Sequence, residues 1–390
     1  MSPPDVILNR PGSRRISDLG HPWVYRGGIA SDTEGIDAGV VRILDDRKRF
    51  LGRALYSPKS QIALRFLTRD DGPIDTAFFV HRLKQAKASR ERSLGPREAL
   101  RQVFAESDGL PSLIVDQYGP HLVVQSLSAG LESLKAPVIE ALREVYAPAS
   151  ILARNDPAVR GLENLPREVV QWFGVTPERI EVADDGIALE IDPWHGQKTG
   201  GFLDQAENRL AARHYTRGRT LDAFSYTGGF GLFCAGRASE VVLVDSSAPA
   251  LAMASRNIER NGLTNVTMVE ANAFDFLKSA DTSGEKFDTV ILDPPAFARN
   301  RNEVEGGVRG YKEINLRGMK LLNPGGWLVT CSCSYHLTEE LFIDVMASAA
   351  VDTRRRFRLV EKRTQGRDHP LLVGFPESYY LKCLILQLLD

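Results

Sequence analysis

Leu221-Asp-Ala-Phe-Ser-Tyr-Thr-Gly-Gly-Phe-Gly231 closes an apolar run of strand length and opens a helix, and the fold turns on it. Outward from it the pattern alternates. Strands are expected at 220–224, 240–245, 266–270, 287–293 and 326–333, with helices at 230–236, 248–261, 274–280 and 313–322. Near-continuous apolar strands separated by helices describe a parallel sheet covered on both faces, an α/β doubly wound, Rossmann-like domain. Two last runs, 357–362 and 379–388, complete the sheet as an antiparallel pair.

In such a sheet a ligand lies at the carboxyl ends of the strands, beside the point where strand order reverses. The informative residues gather there. Glycines let the backbone approach a ligand without a Cβ in the way, although dehydrogenases and purely structural turns share that feature. Asp245, followed by Ser246, ends the second strand, where a carboxylate accepts the ribose hydroxyls of an adenosine nucleoside or caps the next helix. Asn272, in Glu270-Ala-Asn-Ala-Phe274, offers an amide to an adenine edge or an N-cap to the helix after it.

Asp293-Pro-Pro-Ala-Phe297 decides between cofactor classes. Two prolines cannot extend a ladder, so the chain leaves the sheet as a rigid loop with Asp293 at the cofactor-facing edge. Dehydrogenases need no such element, and the turn at 222–231 is not G-x-G-x-x-G. Glycine turn, acid, Asn and Asp-Pro-Pro in this order are the strand-end set of an S-adenosylmethionine-dependent methyltransferase. Thr330-Cys-Ser-Cys-Ser334 ends the fifth strand, and Cys331 and Cys333 share a face if that strand continues. A strand-end cysteine is more often a small buried hydrophobe; placement across the sheet edge from Asp293 reverses that preference.

The remaining sequence narrows the class. A chain of 390 residues exceeds one ordinary core, so two or three domains are expected. No apolar run nears the roughly 20 residues of a membrane span, and residues 1–10 lack the apolar stretch of a secretory signal. Cys234, Cys331, Cys333 and Cys383 form neither a disulfide framework nor a zinc-finger spacing, so no metal is expected and a reducing cytoplasm fits. Net charge is −1, but residues 1–70 carry twelve Lys/Arg against eight Asp/Glu, clustered at Arg14-Arg15 and Arg47-Lys48-Arg49. Arg82, Lys84, Lys87, Arg90 and Arg92 follow on an expected helix at 75–93. Such patches bind phosphate backbones or are simply solvated surface. Turn-punctuated short strands over 1–70 suggest a small β-barrel; 75–190 reads as an α+β unit with antiparallel strands and no catalytic constellation; 191–390 is the doubly wound domain.

The motifs resemble the RlmI family of large-subunit (23S) ribosomal RNA cytosine-5 methyltransferases along nearly the whole chain. Gly20-His-Pro-Trp-Val-Tyr25 with Leu64-Arg-Phe-Leu-Thr68 is similar to its N-terminal PUA domain, an RNA-binding barrel. Glu106-Ser-Asp-Gly-Leu-Pro111 with Leu113-Ile-Val-Asp-Gln-Tyr-Gly119 is similar to its central domain. Gln197-Lys-Thr-Gly200, Phe202-Leu-Asp-Gln205 and Asn208-Arg209 are similar to the motif before the first catalytic strand. The resemblance implies S-adenosylmethionine as cofactor, ribosomal RNA as partner and no membrane, with a homodimer open as an assembly state. It also implies a cofactor pocket of Lys198, Thr199, Phe202, Asp204, Asp222, Phe224, Ser225, Tyr226, Gly228, Asp245, Ser246, Asn272, Ala273 and Asp293, and Cys333 with Asp293 as catalytic groups. Three features depart from the family pattern or its wider group. An acid is common where Asn272 stands, Cys331 replaces a non-cysteine, and Ala296 after the prolines is not the second cysteine of other RNA cytosine-5 enzymes.

Carbon 5 of cytosine is too weak a nucleophile to attack a methyl sulfonium unaided, and a thiolate added to carbon 6 makes it an enamine. Methylation of a ring or exocyclic nitrogen is the rival chemistry, since Asp-Pro-Pro-aromatic also holds amino groups. An RNA-binding protein with a degenerate methyltransferase domain is the non-enzymatic rival.

Overall fold

Short apolar runs give the first sheet: β1 (Asp5–Ile7), β2 (Trp23–Tyr25), β3 (Gly39–Leu44), β4 (Phe50–Tyr56) and β5 (Ile62–Thr68), in the order β1-β3-β4-β5-β2. A bridge between Leu8 and Ile29 joins the two edges, so the sheet curls into a small barrel. Val6, Val24, Val41, Ile43, Ala54 and Leu64 fill it. The structure is a computed structural model and describes residues 3–298 and 300–389. Arg10-Pro-Gly12 starts a helix, Arg10–Ser17, between the first two strands. Asn9 Oδ1 accepts the Gly12 N–H at 2.9 Å, and Pro11 occupies the first turn, where an N–H has no helical partner anyway.

Helix Thr76–Leu94, capped by Asp75, leads to the second sheet. Its strands are β6 (Ala99–Phe104), β7 (Leu113–Tyr118), β8 (His121–Ser126), β9 (Ser150–Asn155) and β10 (Glu168–Gly174), in the order β10-β9-β8-β7-β6. The antiparallel reading of this segment is corrected at one pair, because β8 and β9 run parallel. Helix Lys135–Tyr146 carries the chain back across the sheet, as a parallel connection requires. The core of this sheet holds Phe79, Leu83, Val103, Val115 and Ile151 and takes in Leu55 and Leu67 from the first sheet. Arg65 and Glu163, both buried, pair at 2.7 Å. Arg90 does not belong to a basic surface: it is 2% exposed, bonded to Asp108 and to the Asp368 carbonyl at 2.9 Å.

β11 (Ile180–Asp184) and β12 (Ile187–Ile191) flank Asp185-Gly186. Both turn residues have positive φ, 46° and 84°, as the tightest hairpin turns demand. Residues up to Asp184, with Ile191–Leu203 and Arg367–Ser378, form one compact unit; Asp185–Glu190, Asp204–Gly366 and the residues from Tyr379 form the other.

The second unit is built on β13 (Arg219–Ala223), β14 (Glu240–Asp245), β15 (Val266–Glu270), β16 (Phe287–Leu292), β17 (Leu322–Ser332), β18 (Phe357–Arg363) and β19 (Lys382–Leu388). Their order is β15-β14-β13-β16-β17-β19-β18. The first five pair in parallel, and β19 runs antiparallel between β17 and β18. Strand order reverses between β13 and β16, which is where the doubly wound reading puts a ligand. Helices Ala206–Tyr215 and Glu339–Thr353 were not anticipated from sequence, and Val304–Lys320 starts well before the expected 313. Its first turns, Val304-Glu-Gly-Gly-Val-Arg-Gly310, are too glycine-rich for periodicity to register. No helix among the described residues is long and apolar enough to cross a membrane.

Candidate active site

Beyond Ala223 the chain turns over the end of β13. Phe224, Tyr226 and Gly228 all have positive φ, 66°, 50° and 85°. Left-handed residues interleaved in this way fold backbone N–H groups into a concave nest, and each non-glycine costs roughly 1–3 kcal/mol to hold there. Asp222, 1% exposed, accepts the Gly231 N–H at 2.7 Å. It thereby satisfies a first-turn N–H of helix Gly229–Ala235, whose N-cap, Gly228, has no side chain to do so. Burial pushes the Asp222 carboxyl up to about 8, with the Gly231 N–H opposing and the charges of Asp293 and Asp245 adding to the rise. At neutral pH it therefore carries a proton.

Asp245 is the second anchor of the turn. One oxygen accepts the Tyr226 N–H and the other the Ser247 N–H, both at 2.8 Å. Each oxygen has a second lone pair, so the carboxylate ties the turn to β14 and can still accept from a ribose. Ser246 is exposed beside it. Asn272 is also exposed, and its Oδ1 accepts the Phe274 N–H at 2.9 Å, capping helix Ala273–Ser283 with Ala273 buried as its first residue. The oxygen that would meet an adenine amino group is thus already the cap. Ser225 Oγ and Asp222 Oδ1 are buried with no hydrogen-bond partner among the described residues. With the nest and Asp245, these spare polar atoms fit an adenosine-type cofactor.

Asp293 and Cys333 follow adjacent parallel strands, β16 and β17, whose ends are in register at Leu292 and Thr330. Half-buried Asp293 accepts Gln205 Nε2 at 2.9 Å, and Asn208 Nδ2 orients Gln205 by donating to its Oε1 at 2.7 Å. Sequence reasoning assigns no role to either amide, although both fall in the motif before the first catalytic strand. Asp204 itself accepts the Tyr380 hydroxyl at 2.6 Å.

β17 stops at Ser332, so the two cysteines do not share a strand face. Cys331 is fully buried with Cys234, Cys383, Ile291 and Val329, and burial together with Cys383 pushes its thiol well above the ordinary range. Cys333 is half-buried in the loop beyond. Ser332 Oγ accepts the Ser334 N–H at 3.3 Å, while Ser334 Oγ accepts the Ala298 N–H at 3.2 Å and bonds the Tyr311 hydroxyl at 3.0 Å. Ser334 therefore clamps the cysteine loop to the loop that follows the prolines. Helix Val304–Lys320, which supplies Tyr311, comes so near that a Cβ on Gly307 would lie 2.9 Å from Ala298 Cβ. Phe224, Phe274, Phe297 and Tyr311 form a chain of edge-on and tilted rings, with successive centroids 6.0, 5.6 and 4.7 Å apart, along the strand ends.

Lys198, Thr199 and Phe202 belong to the first unit and are engaged there. The fully buried Thr199 hydroxyl bonds Asp116, itself paired with Arg101 at 2.7 Å, and lies 3.2 Å from the Tyr118 hydroxyl. Lys198 Nζ stands 4.6 Å from the Phe202 ring centroid. Among the described residues no group of three His, Cys, Asp or Glu is placed to hold a metal.

Residues 6–69 match the PUA-like domain family and residues 128–370 the S-adenosylmethionine-dependent methyltransferase family. A Tolumonas auensis protein named ribosomal RNA large subunit methyltransferase I is 43% identical over 377 residues, 94% of this chain and 95% of that one. The chain belongs to the ribosomal RNA large subunit methyltransferase I family. A relative of the same name from Escherichia coli O9:H4 is 41% identical over 372 residues, 93% of this chain and 94% of that one. The fold is shared with the crystal structure of a candidate methyltransferase complexed with SAH, at TM-score 0.84 and 20% identity over 98% of this chain and 100% of that one. This methyltransferase takes S-adenosylmethionine as its cofactor, in keeping with the turn at 222–231 and the acid at Asp245.

Proposed function

We propose that the enzyme methylates carbon 5 of a cytosine in large-subunit ribosomal RNA, with Cys333 as nucleophile and Asp293 as the acid that holds the base. The names of the family relatives support the RNA class. The observation that carries the reading is the pairing of a half-buried thiol with a half-buried carboxyl on adjacent strand ends, each fixed by neighbours of its own: Ser334 for the Cys333 loop and Gln205 for Asp293. Lys198, Thr199, Phe202, Asp204, Asp222, Phe224, Ser225, Tyr226, Gly228, Asp245, Ser246, Asn272 and Ala273 are assigned to the cofactor, and the chain is divided at 70–75 and 190–191 into RNA-binding barrel, central domain and catalytic domain.

S-adenosylmethionine, when bound, supplies the methyl group as a sulfonium electrophile. The Cys333 thiolate adds to carbon 6, and the electron pair of the 5,6 double bond moves into the ring as Asp293 hydrogen-bonds N3 or the exocyclic amine. Carbon 5 then forms its new bond to the methyl carbon, for which the sulfonium S–CH3 bond would break and leave S-adenosylhomocysteine. Loss of the carbon 5 proton to a base restores the double bond, breaks the S–C6 bond and returns the thiolate. Half-buried Phe224, Phe274 and Phe297, backed by Phe297's contact with buried Tyr311, offer an unpaired or flipped base an apolar wall.

RNA carrying 5-fluorocytosine tests this directly, because fluorine cannot leave as a proton and the S–C6 adduct persists. Wild type is expected to give a slow-migrating band on a denaturing gel, and Cys333→Ala to give neither band nor methylation while binding cofactor normally. Normal methylation by folded Cys333→Ala would transfer the assignment to nitrogen methylation, which needs no thiol.

A further inference from the structure

We propose that Lys382 is the positioning cation for Cys333, its buried ammonium raising the thiolate fraction of that cysteine and fixing the turn that carries it. Lys382 is 2% exposed and opens β19, opposite Ser332 in the ladder. Its ammonium donates to the Ser334 carbonyl at 2.6 Å and to the Tyr380 carbonyl at 2.9 Å. Cys333 thus sits between Ser332, the ladder partner of Lys382, and Ser334, whose backbone Lys382 holds.

Two carbonyls orient an ammonium but do not neutralise it, and a buried charge needs a counter-charge. Among the described residues, the charged and titratable groups around it leave one candidate. Glu339, from helix Glu339–Thr353, is already bonded to Lys362 at 2.6 Å and to the Tyr379 hydroxyl at 3.0 Å. Tyr311, from helix Val304–Lys320, has its phenol pushed up to about 12 by burial and stays neutral. Burial pushes the Lys382 amine down to about 8, and the two groups that pull it back up are Cys333 and Glu339. With Glu339 committed to Lys362, the thiolate is the anion that completes the site. The proton it loses passes to solvent.

This inference rests on Cys333 as nucleophile, but its test needs neither RNA nor methyl transfer. Iodoacetamide alkylation of Cys333 in the full-length protein, followed by mass mapping of its peptide, gives the rate against pH. In native wild type the half-maximal pH should lie below that of the same peptide in urea. In Lys382→Met it should move up by about one unit, which slows alkylation at pH 7 roughly tenfold, and Lys382→Arg should restore most of the loss. Retained S-adenosylmethionine binding shows that a variant is folded; a merely structural lysine would lower activity without moving the pH midpoint. A native midpoint at or above the urea value, or superimposable wild-type and Lys382→Met profiles, overturns the proposal, and the wild-type comparison decides even if Lys382→Met does not fold. A shifted midpoint without a fluorocytosine adduct would remove the cytosine-5 reading and leave the Lys382–Cys333 pair standing. An adduct without the shift would do the reverse.

Discussion

At the scale of single residues, the site separates two carboxylates that look alike in sequence. Asp245 spends a lone pair of each oxygen on backbone N–H groups, whereas Asp222 is sealed under the turn with one bond, to Gly231. Its folded value of about 8 stands above the roughly 3.9 of an unfolded aspartate. The contribution to stability is therefore fully present below about pH 4 and is lost as pH rises through about 8. Asp222→Asn keeps an acceptor for the Gly231 N–H and has nothing to ionise. Urea midpoints at pH 5 and pH 8 should fall less in this variant than in wild type, and parallel losses in the two proteins would show that Asp222 ionises freely. Position, strand end and acidity of these residues were legible in the sequence, because alternation and glycine punctuation mark strand ends. Their division of labour was not, since burial depends on what packs above them. Cys331 makes the same point: alternation put the two cysteines on one face if the strand continued, and only the resemblance singled out Cys333, whereas β17 ends between them and leaves one in the core and one in the loop.

At the scale of elements, helix Val304–Lys320 is the part that periodicity under-reads. Gly306 and Gly307 are neighbours with opposite surroundings: a Cβ on Gly306 meets nothing within 4 Å, while one on Gly307 meets Ala298 Cβ at 2.9 Å and the Phe297 carbonyl carbon at 3.3 Å. Glycine within a helix costs about 1 kcal/mol relative to alanine. Gly306→Ala should therefore raise the melting temperature with activity unchanged. Overpacking a close contact costs about 1–3 kcal/mol, which exceeds that propensity gain. Gly307→Ala should lower the melting temperature and slow methylation, with cofactor affinity held, because it displaces Phe297 and the loop after the prolines. Equal melting temperatures for the two variants would mean that the helix does not press on that loop. The glycines that hid the helix from the sequence are explained by this proximity, which is a tertiary fact. Helices Ala206–Tyr215 and Glu339–Thr353 escaped for a different reason: the first buries Asn208 and Arg209 beside Ala206 and Ala212, and the second is apolar on most of its surface, so neither shows a clean stripe.

At the scale of the whole molecule, charge is sorted locally and not by total. On the β3–β4 turn, Asp45 accepts the Arg47 and Arg49 N–H groups at 2.9 and 2.8 Å and pairs with the Arg49 side chain at 2.7 Å, so Arg47 and Lys48 are presented on a fixed turn. Arg14, by contrast, is paired with Asp18 at 3.0 Å. Replacing Arg47 and Lys48 together by Glu should weaken RNA binding and flatten the plot of log affinity against log salt by roughly 1.4–1.8, with S-adenosylmethionine affinity unchanged. An unaltered slope would show that the turn lies outside the RNA interface. The barrel was legible from its short strands and the parallel sheet from its alternation, but the parallel β8–β9 pair and the core that Leu55 and Leu67 share with the second sheet were not, because pairing partners and burial are long-range. One further consequence lies in chain order. The backbone passes five times between the two units, and β19, laid down inside the sheet between β17 and β18, is synthesised after both. A nascent chain therefore carries β17 and β18 before the strand that joins them, with the ladder edge of β17 open and Lys382 not yet in place. For that interval an apolar strand edge is bare, the kind of template on which chains aggregate, and chaperone cover would matter more to this enzyme than to one whose central strands are made first.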